Sequence, residues 1–238
     1  HGKNKNISID TLNPYVIDAT STTTNIATND NYNEGSVLTL TLRFNETLIV
    51  TGKPLLKLNV TTSNSEIRYA EYAFGSNTDT LVFNYKVSAQ DNSPKLDYFD
   101  ASSLILPNGV NISDIAGNTA SIILKTPGQS GSISANRNIV IDTNKPNPPT
   151  INEISKQQFS ITASESKVQY SIDNGAYTDY SSAVTIPLKD STTISAKQRD
   201  NAGNWSDVSI KTITADVTMP AVISVTSPES NGYYNAGR

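Results

Sequence analysis

Between Val37 and Phe44 every second residue is large and apolar: Leu38, Leu40, Leu42 and Phe44 alternate with Thr39, Thr41 and Arg43. Side chains on an extended strand point to opposite faces in turn, so this period of two gives one apolar and one solvated face. A helix, with its period of 3.6, cannot gather these residues on one side. The pattern returns from Thr80 to Val87, with Leu81, Phe83, Tyr85 and Val87 as the inward set. Further strands are expected at 15–21, 55–60, 66–72, 103–106, 120–124 and 138–142, then at 158–163, 168–172, 192–198 and 207–213. After Ile172, the run Asp173-Asn174-Gly175 leads to Ala176-Tyr177, and Asn-Gly between apolar-bearing strands predicts a tight hairpin. No segment carries a convincing helical period. Asn, Thr and Ser supply 82 of the 238 residues, which suits turns and wet strand faces and disfavours helix interiors. The expected fold class is all-β, built of antiparallel β-sandwiches.

Two short signals recur in a fixed order. Asp-x-x-x-Pro occurs at Asp10–Pro14, Asp142–Pro146 and Asp216–Pro220. Asp-x-Ala-Gly-Asn occurs at Asp114–Asn118 and Asp200–Asn204. The sequence linker, tail motif, linker, tail motif, linker predicts two complete units and the opening of a third. The third opening repeats the first: Val222–Ser227 aligns with Val16–Ser21, and Tyr234–Gly237 with Tyr32–Gly35. The expected division is 1–14 as a tag remnant and linker, 15–142 as a larger unit, 143–216 as a smaller one, and 217–238 as the truncated first strand of a third. On this reading the chain is a piece of something longer.

Several functions are excluded. No apolar run approaches the ~20 residues of a membrane span. The net charge of −4, without a basic cluster, argues against nucleic acid. There is no cysteine, hence no disulfide, thiolate metal site or thiol nucleophile, and the only histidine is His1, which rules out an internal His-dependent triad. Carboxylate pairs exist, but on loops of small sandwiches rather than across a deep cleft, so no enzyme is expected. Trp205, the only tryptophan, reads as core or as a prop at an interface, with sugar stacking as the rarer use. The Asn-x-Ser/Thr sequons at Asn45, Asn59, Asn111 and Asn204 read as composition.

Tyr32–Gly35, Leu42–Glu46, Thr51–Pro54, Gln90–Ser93 with Leu96-Asp97-Tyr98, Asp114–Asn118 and Asn136–Asp142 together resemble the tandem immunoglobulin-like repeats of very large bacterial surface proteins and adhesins. These stretches cover most of 15–142. Through Tyr170–Gly175 and Asp200–Asn204, the second unit resembles a smaller immunoglobulin-like repeat of the same proteins. Such repeats commonly carry Ser-Glu after the phenylalanine; here Asn45 precedes Glu46. The resemblance implies tandem immunoglobulin-like sandwiches, an extracellular place on a bacterial surface and a role in adhesion. The implied partners are neighbouring repeats of the same chain, with a surface glycan or protein receptor as a further partner.

In an immunoglobulin-like topology the start of the first strand, the loop after the second and the loop before the last share one pole. Asp10, Glu46, Asp114 and Asn118 then converge in the first unit, and Asp142, Glu165, Asp200 and Asn204 in the second. Hard cations such as calcium take six to eight oxygen ligands at ~2.3–2.6 Å, so both sets are candidate calcium ligands. Gly117 and Gly203 would let the backbone curl so that carbonyls face an ion. The competing reading is turn chemistry alone, with Asp accepting backbone N–H groups. Asp91 and Asp97 form a second candidate group on the same two readings. The expected function is a non-catalytic stalk or spacer, rigidified by calcium where bound. The alternatives are a carbohydrate- or receptor-binding module, and an accessory segment of a secreted polysaccharide-degrading enzyme.

Overall fold

The computed structural model describes residues 9–25 and 29–221; of the expected truncated strand of a third unit, 217–238, residues 222 onward lie outside them. Among the described residues the chain is nearly all β. In the first unit the strands are β1 (Val16–Ser21), β2 (Asn31–Tyr32), β3 (Val37–Thr51), β4 (Leu55–Lys57), β5 (Tyr69–Phe74), β6 (Thr78–Lys86), β7 (Asn92–Ser93), β8 (Leu104–Ile105) and β9 (Asn111–Ser113), then a short helix α1 (Ile133–Asn136) and β10 (Val140–Asp142).

β3 is the spine of this unit. Its alternating leucines and Phe44 are fully buried. They face Ala19 of β1 on one side and Leu81 and Phe83 of β6 on the other, as in Ala19↔Leu42↔Leu81 and Leu40↔Phe83. The larger sheet runs β1-β3-β6-β5-β4-β8, and a smaller one runs β2-β10-β7. β10 is antiparallel to β7 but parallel to β2, while the other named strand pairs among the described residues are antiparallel. Leu38, Leu40, Phe83 and Tyr85 from the larger sheet and Tyr32 and Ile141 from the smaller belong to one apolar cluster. Each such side chain contributes about 1.5–3 kcal/mol on burial.

β3 runs past the expected end at Phe44. A register shift between Arg43 and Leu48 lets its second half leave β6 and pair with β9 through Ile49–Thr51. Glu46 therefore sits on a bulge inside the strand, not on a loop after it. Segment 120–124 is not a strand either; among the described residues it makes a single isolated bridge, Tyr15↔Ser121. The helix α1 was not legible as a period, since one turn shows none. It forms because Ser132 caps it, accepting from the Ala135 N–H at 3.3 Å, and because Asp97 accepts from the Ile133 and Ser134 N–H groups at 3.2 and 3.3 Å.

The second unit contains β11 (Thr150–Ser155), β12 (Gln158–Thr162), β13 (Lys167–Ile172), β14 (Thr178–Asp179), β15 (Val184–Thr185), β16 (Ser191–Arg199) and β17 (Ser209–Thr214). They form a sheet β11-β12-β15 and a sheet β14-β13-β16-β17. Ile151, Phe159 and Ile161 from the first and Val168, Ile194, Ala196 and Ile213 from the second make a separate apolar cluster. Phe159 meets Tyr170 edge-on at 5.6 Å between ring centres. The hairpin turns one residue earlier than Asn-Gly predicts. Asp173 and Asn174 take φ of 50° and 60°, and the Gly175 N–H donates to the Ile172 carbonyl at 2.9 Å. Two successive positive φ values are what a type I′ turn requires, and Asp and Asn tolerate them.

Candidate functional site

The linker ends are made by the same hydrogen bonds twice. In the first unit, the Asn118 backbone N–H donates to Asp114 Oδ1 at 2.8 Å, closing the Asp-x-Ala-Gly-Asn loop. The Asn118 side-chain Nδ2 donates to Asp114 Oδ2 at 2.7 Å and to the backbone carbonyl of Asp10 at 3.1 Å. In the second unit, the Asn204 N–H donates to Asp200 Oδ1 at 2.9 Å, and its Nδ2 donates to Asp200 Oδ2 and the Asp142 carbonyl, each at 2.9 Å. The last asparagine of each tail motif thus grips the linker that enters its unit. Gly117 and Gly203 sit at φ of 95° and 103°, a curl that a Cβ would strain. Asp10, Asp142 and Asp216 each accept from the N–H two residues on, at 2.9–3.0 Å, so all three linkers start with one kind of turn.

The second linker is held from both sides. Asn92, on β7 of the first unit, accepts through Oδ1 from the Thr143 N–H at 3.2 Å and from Asn144 Nδ2 at 2.9 Å. With Asn204 on the Asp142 carbonyl, residues 142–144 are tied to both units. The exposed pair Lys145–Asp207 adds a contact of 2.9 Å that is worth little in solvent.

The acids behave differently at the two ends. Asp10, Glu46 and Asp114 each place a carboxylate oxygen within 4.8 Å of the other two. The β3 bulge makes this possible by turning Glu46 toward the loop; Asn45 fixes the bulge, accepting through Oδ1 from the Tyr15 N–H at 2.7 Å and donating from Nδ2 to Glu46 at 3.1 Å. None of the three acids pairs with a lysine or arginine among the described residues. Burial pushes the Asp114 carboxyl up, but hydrogen bonds from the Asn118 side chain and from the Asn118, Gly117 and Ala116 backbone outweigh it and hold the group below the usual carboxylate range. Three carboxylates this close repel one another, and a hard cation would offset that.

Asp142, Glu165 and Asp200 form no such group among the described residues. The ground between them is taken by Gln198, a buried residue that no sequence motif singles out. Its Oε1 accepts from the Ser164 and Glu165 N–H groups at 2.9 and 3.0 Å, while its Nε2 donates to the Asn147 carbonyl and to Ser164 Oγ. A neutral amide thus occupies the ground between the linker and the 164–165 loop. Asn118 and Asn204 each turn the side-chain nitrogen, a donor, to the aspartate and so clamp the loop.

Asp91 and Asp97 are each surrounded by protein donors. Asp91 takes Arg68 Nε at 2.6 Å, the Ser88 N–H at 2.7 Å and the Tyr85 hydroxyl. Burial, followed by the hydrogen bond to Asp91, pushes the Tyr85 hydroxyl far up. Asp97 takes the Ser134 hydroxyl at 2.6 Å, besides the helix N–H groups and the Gly128 N–H at 3.1 Å. This pattern is structural. Trp205 is half-buried and lies against the side chains of Lys197 and Arg199.

No protein-family model matches the chain, and no curated protein matches it.

Proposed function

We propose that this chain is a non-catalytic spacer, made of tandem immunoglobulin-like sandwiches, from a bacterial extracellular surface protein that acts in adhesion. The observation that carries the reading is the second linker, gripped by Asn92 from one unit and by Asn204 from the next. A spacer has to pass orientation from unit to unit, and a joint fixed at both ends does so where a free linker does not. Recurrence of the Asn grip at Asp10 supports a repeating joint that also receives a preceding unit. The seven strands of the second unit, split three and four around one apolar cluster, fit a small immunoglobulin-like sandwich.

At the first linker end the same reading puts a divalent cation, calcium by its preference for oxygen, on Asp10, Glu46 and Asp114. Its role there is to neutralise the acids and lock the linker to the β3 bulge. Neutral bonding by Gln198 does that work at the second end. Small-angle scattering tests the spacer: an elongated particle is expected, unchanged in length from low to high salt. A profile fitted by one compact globule would overturn it.

A further inference from the structure

The outer face of the four-stranded sheet carries cations that a spacer does not use. The register of β13 and β16 sets Lys167 opposite Arg199 and Gln169 opposite Lys197, so these four share one face. Trp205 joins them through a bridge to Arg199. The Lys197 ammonium lies 4.3 Å from the centre of the Tyr177 ring and 4.4 Å from that of Trp205. Beside them opens a cleft of about 310 Å³, lined by Lys167, Gln169, Asp179, Tyr180, Arg199 and Trp205.

Three features separate this cleft from an ordinary wet face. None of Lys167, Lys197 and Arg199 has a carboxylate partner among the described residues, in a chain whose net charge is −4. Like charges set directly opposite on paired strands repel, so the arrangement works against stability. Arg199, which lines the cleft, has an Nε that is cut off from solvent and has no hydrogen-bond partner. The single acid of the lining, Asp179, accepts from Gln169 Nε2 at 2.9 Å and leaves the cations uncompensated.

We propose that this cleft binds an acidic saccharide, a sugar ring bearing a carboxylate or a sulfate ester, as one residue of a polysaccharide. Arg199 and Lys167 would take the anionic group, Arg199 through its planar fork. Asp179 and Gln169 supply an acceptor and an amide to ring hydroxyls, and the indole of Trp205 supplies an apolar wall for the ring carbons. A nucleic acid strand would need a basic track along its phosphate backbone, which a chain of net charge −4 without a basic cluster does not offer. An acidic peptide would bring no hydroxyls to Asp179. The inference stands apart from the spacer reading, since it rests on a sheet face rather than on the joints.

Trp205 is the only tryptophan, so its emission reports this cleft in the intact chain. The chain is titrated with an oligogalacturonate, a sulfated galactan oligomer, a neutral galactan oligomer, hexaglutamate and a short oligothymidylate. A saturable change is expected with the uronate or the sulfated oligomer, and the two arms tell which anion is preferred. No change is expected with the neutral sugar, the peptide or the nucleic acid. Arg199→Gln should weaken binding at least tenfold and Lys167→Gln several-fold, with Lys53→Gln, outside the cleft, as the neutral control. Lys167 is exposed, so that variant keeps the test open should Arg199→Gln fail to fold. No saturable response to either acidic oligomer, an equal response to hexaglutamate or oligothymidylate, or unaltered affinity in Lys167→Gln and Arg199→Gln would each overturn the proposal.

Discussion

Two residues before Asp114 stands Ile112, fully buried; two residues before Asp200 stands Gln198, also buried. The positions are equivalent, since the Ile112 carbonyl accepts from the Ala120 N–H at 2.9 Å and the Gln198 carbonyl from the Ser206 N–H at 2.8 Å. Around them the backbone plan is the same, and the side chains solve the joint differently. The first end has an apolar floor and three converging carboxylates. The second has a neutral amide hub and no such convergence. One loop motif therefore stands beside three converging carboxylates at one end and beside a neutral amide at the other. The motif fixes the clamp, and the residue two places upstream decides the chemistry beside it.

Exchanging those two residues should give the largest effect. Ile112→Gln would bury an amide among apolar neighbours and cost the first unit about 3 kcal/mol. Gln198→Leu would strand the Ser164 and Glu165 N–H groups and cost the second unit about 2–3 kcal/mol. Urea unfolding measures both; a neutral Gln198→Leu would break the contrast.

Calcium comes next. At a hundredfold over its dissociation constant it should stabilise the first unit by about 2.7 kcal/mol and leave the second unmoved. Asp10→Asn should remove that gain, while Asp142→Asn should not touch it. Calorimetric melts in calcium and in chelator decide, and identical first-unit transitions would make Asp10, Glu46 and Asp114 turn formers only. Asn118→Ala and Asn204→Ala should then cost their own units about 1–2 kcal/mol each, alike in calcium and chelator, because the grip is a hydrogen bond at both ends.

The smallest effect concerns acid. The Asp114 carboxyl is held below its unfolded value, so its contribution is complete above about pH 4 and is lost as pH falls through the lower folded value. With Asp10 and Glu46 facing it, Asp114→Asn should flatten the acid limb of first-unit stability. An unaltered limb would assign that limb to other acids.

Long alternating strands were legible from sequence because a period of two over eight residues leaves one answer, as at Leu38–Phe44. The two-residue strands β2, β7, β14 and β15 were not, since two residues have no period. Segment 120–124 is expected to be a strand, yet Ile123 is 60% exposed and the segment has no continuous strand neighbour among the described residues. Asp10, Glu46 and Asp114 were legible because repeated motifs marked the two aspartates and topology brought the glutamate to the same end. Asn92 and Gln198 were not. A lone amide in a chain rich in asparagine carries no signal until the fold shows which carbonyls and N–H groups it meets.

The central claim, that the linker between the units is fixed from both sides, is tested most directly by a distance distribution. The chain has no cysteine, so Glu71→Cys and Thr212→Cys place one spin label on an exposed site of each unit. Pulsed dipolar spectroscopy should give a single narrow distance peak, which broadens when Asn92→Ala and Asn204→Ala are combined while both units stay folded. A broad distribution in the parent chain, unchanged by those two substitutions, would contradict the account.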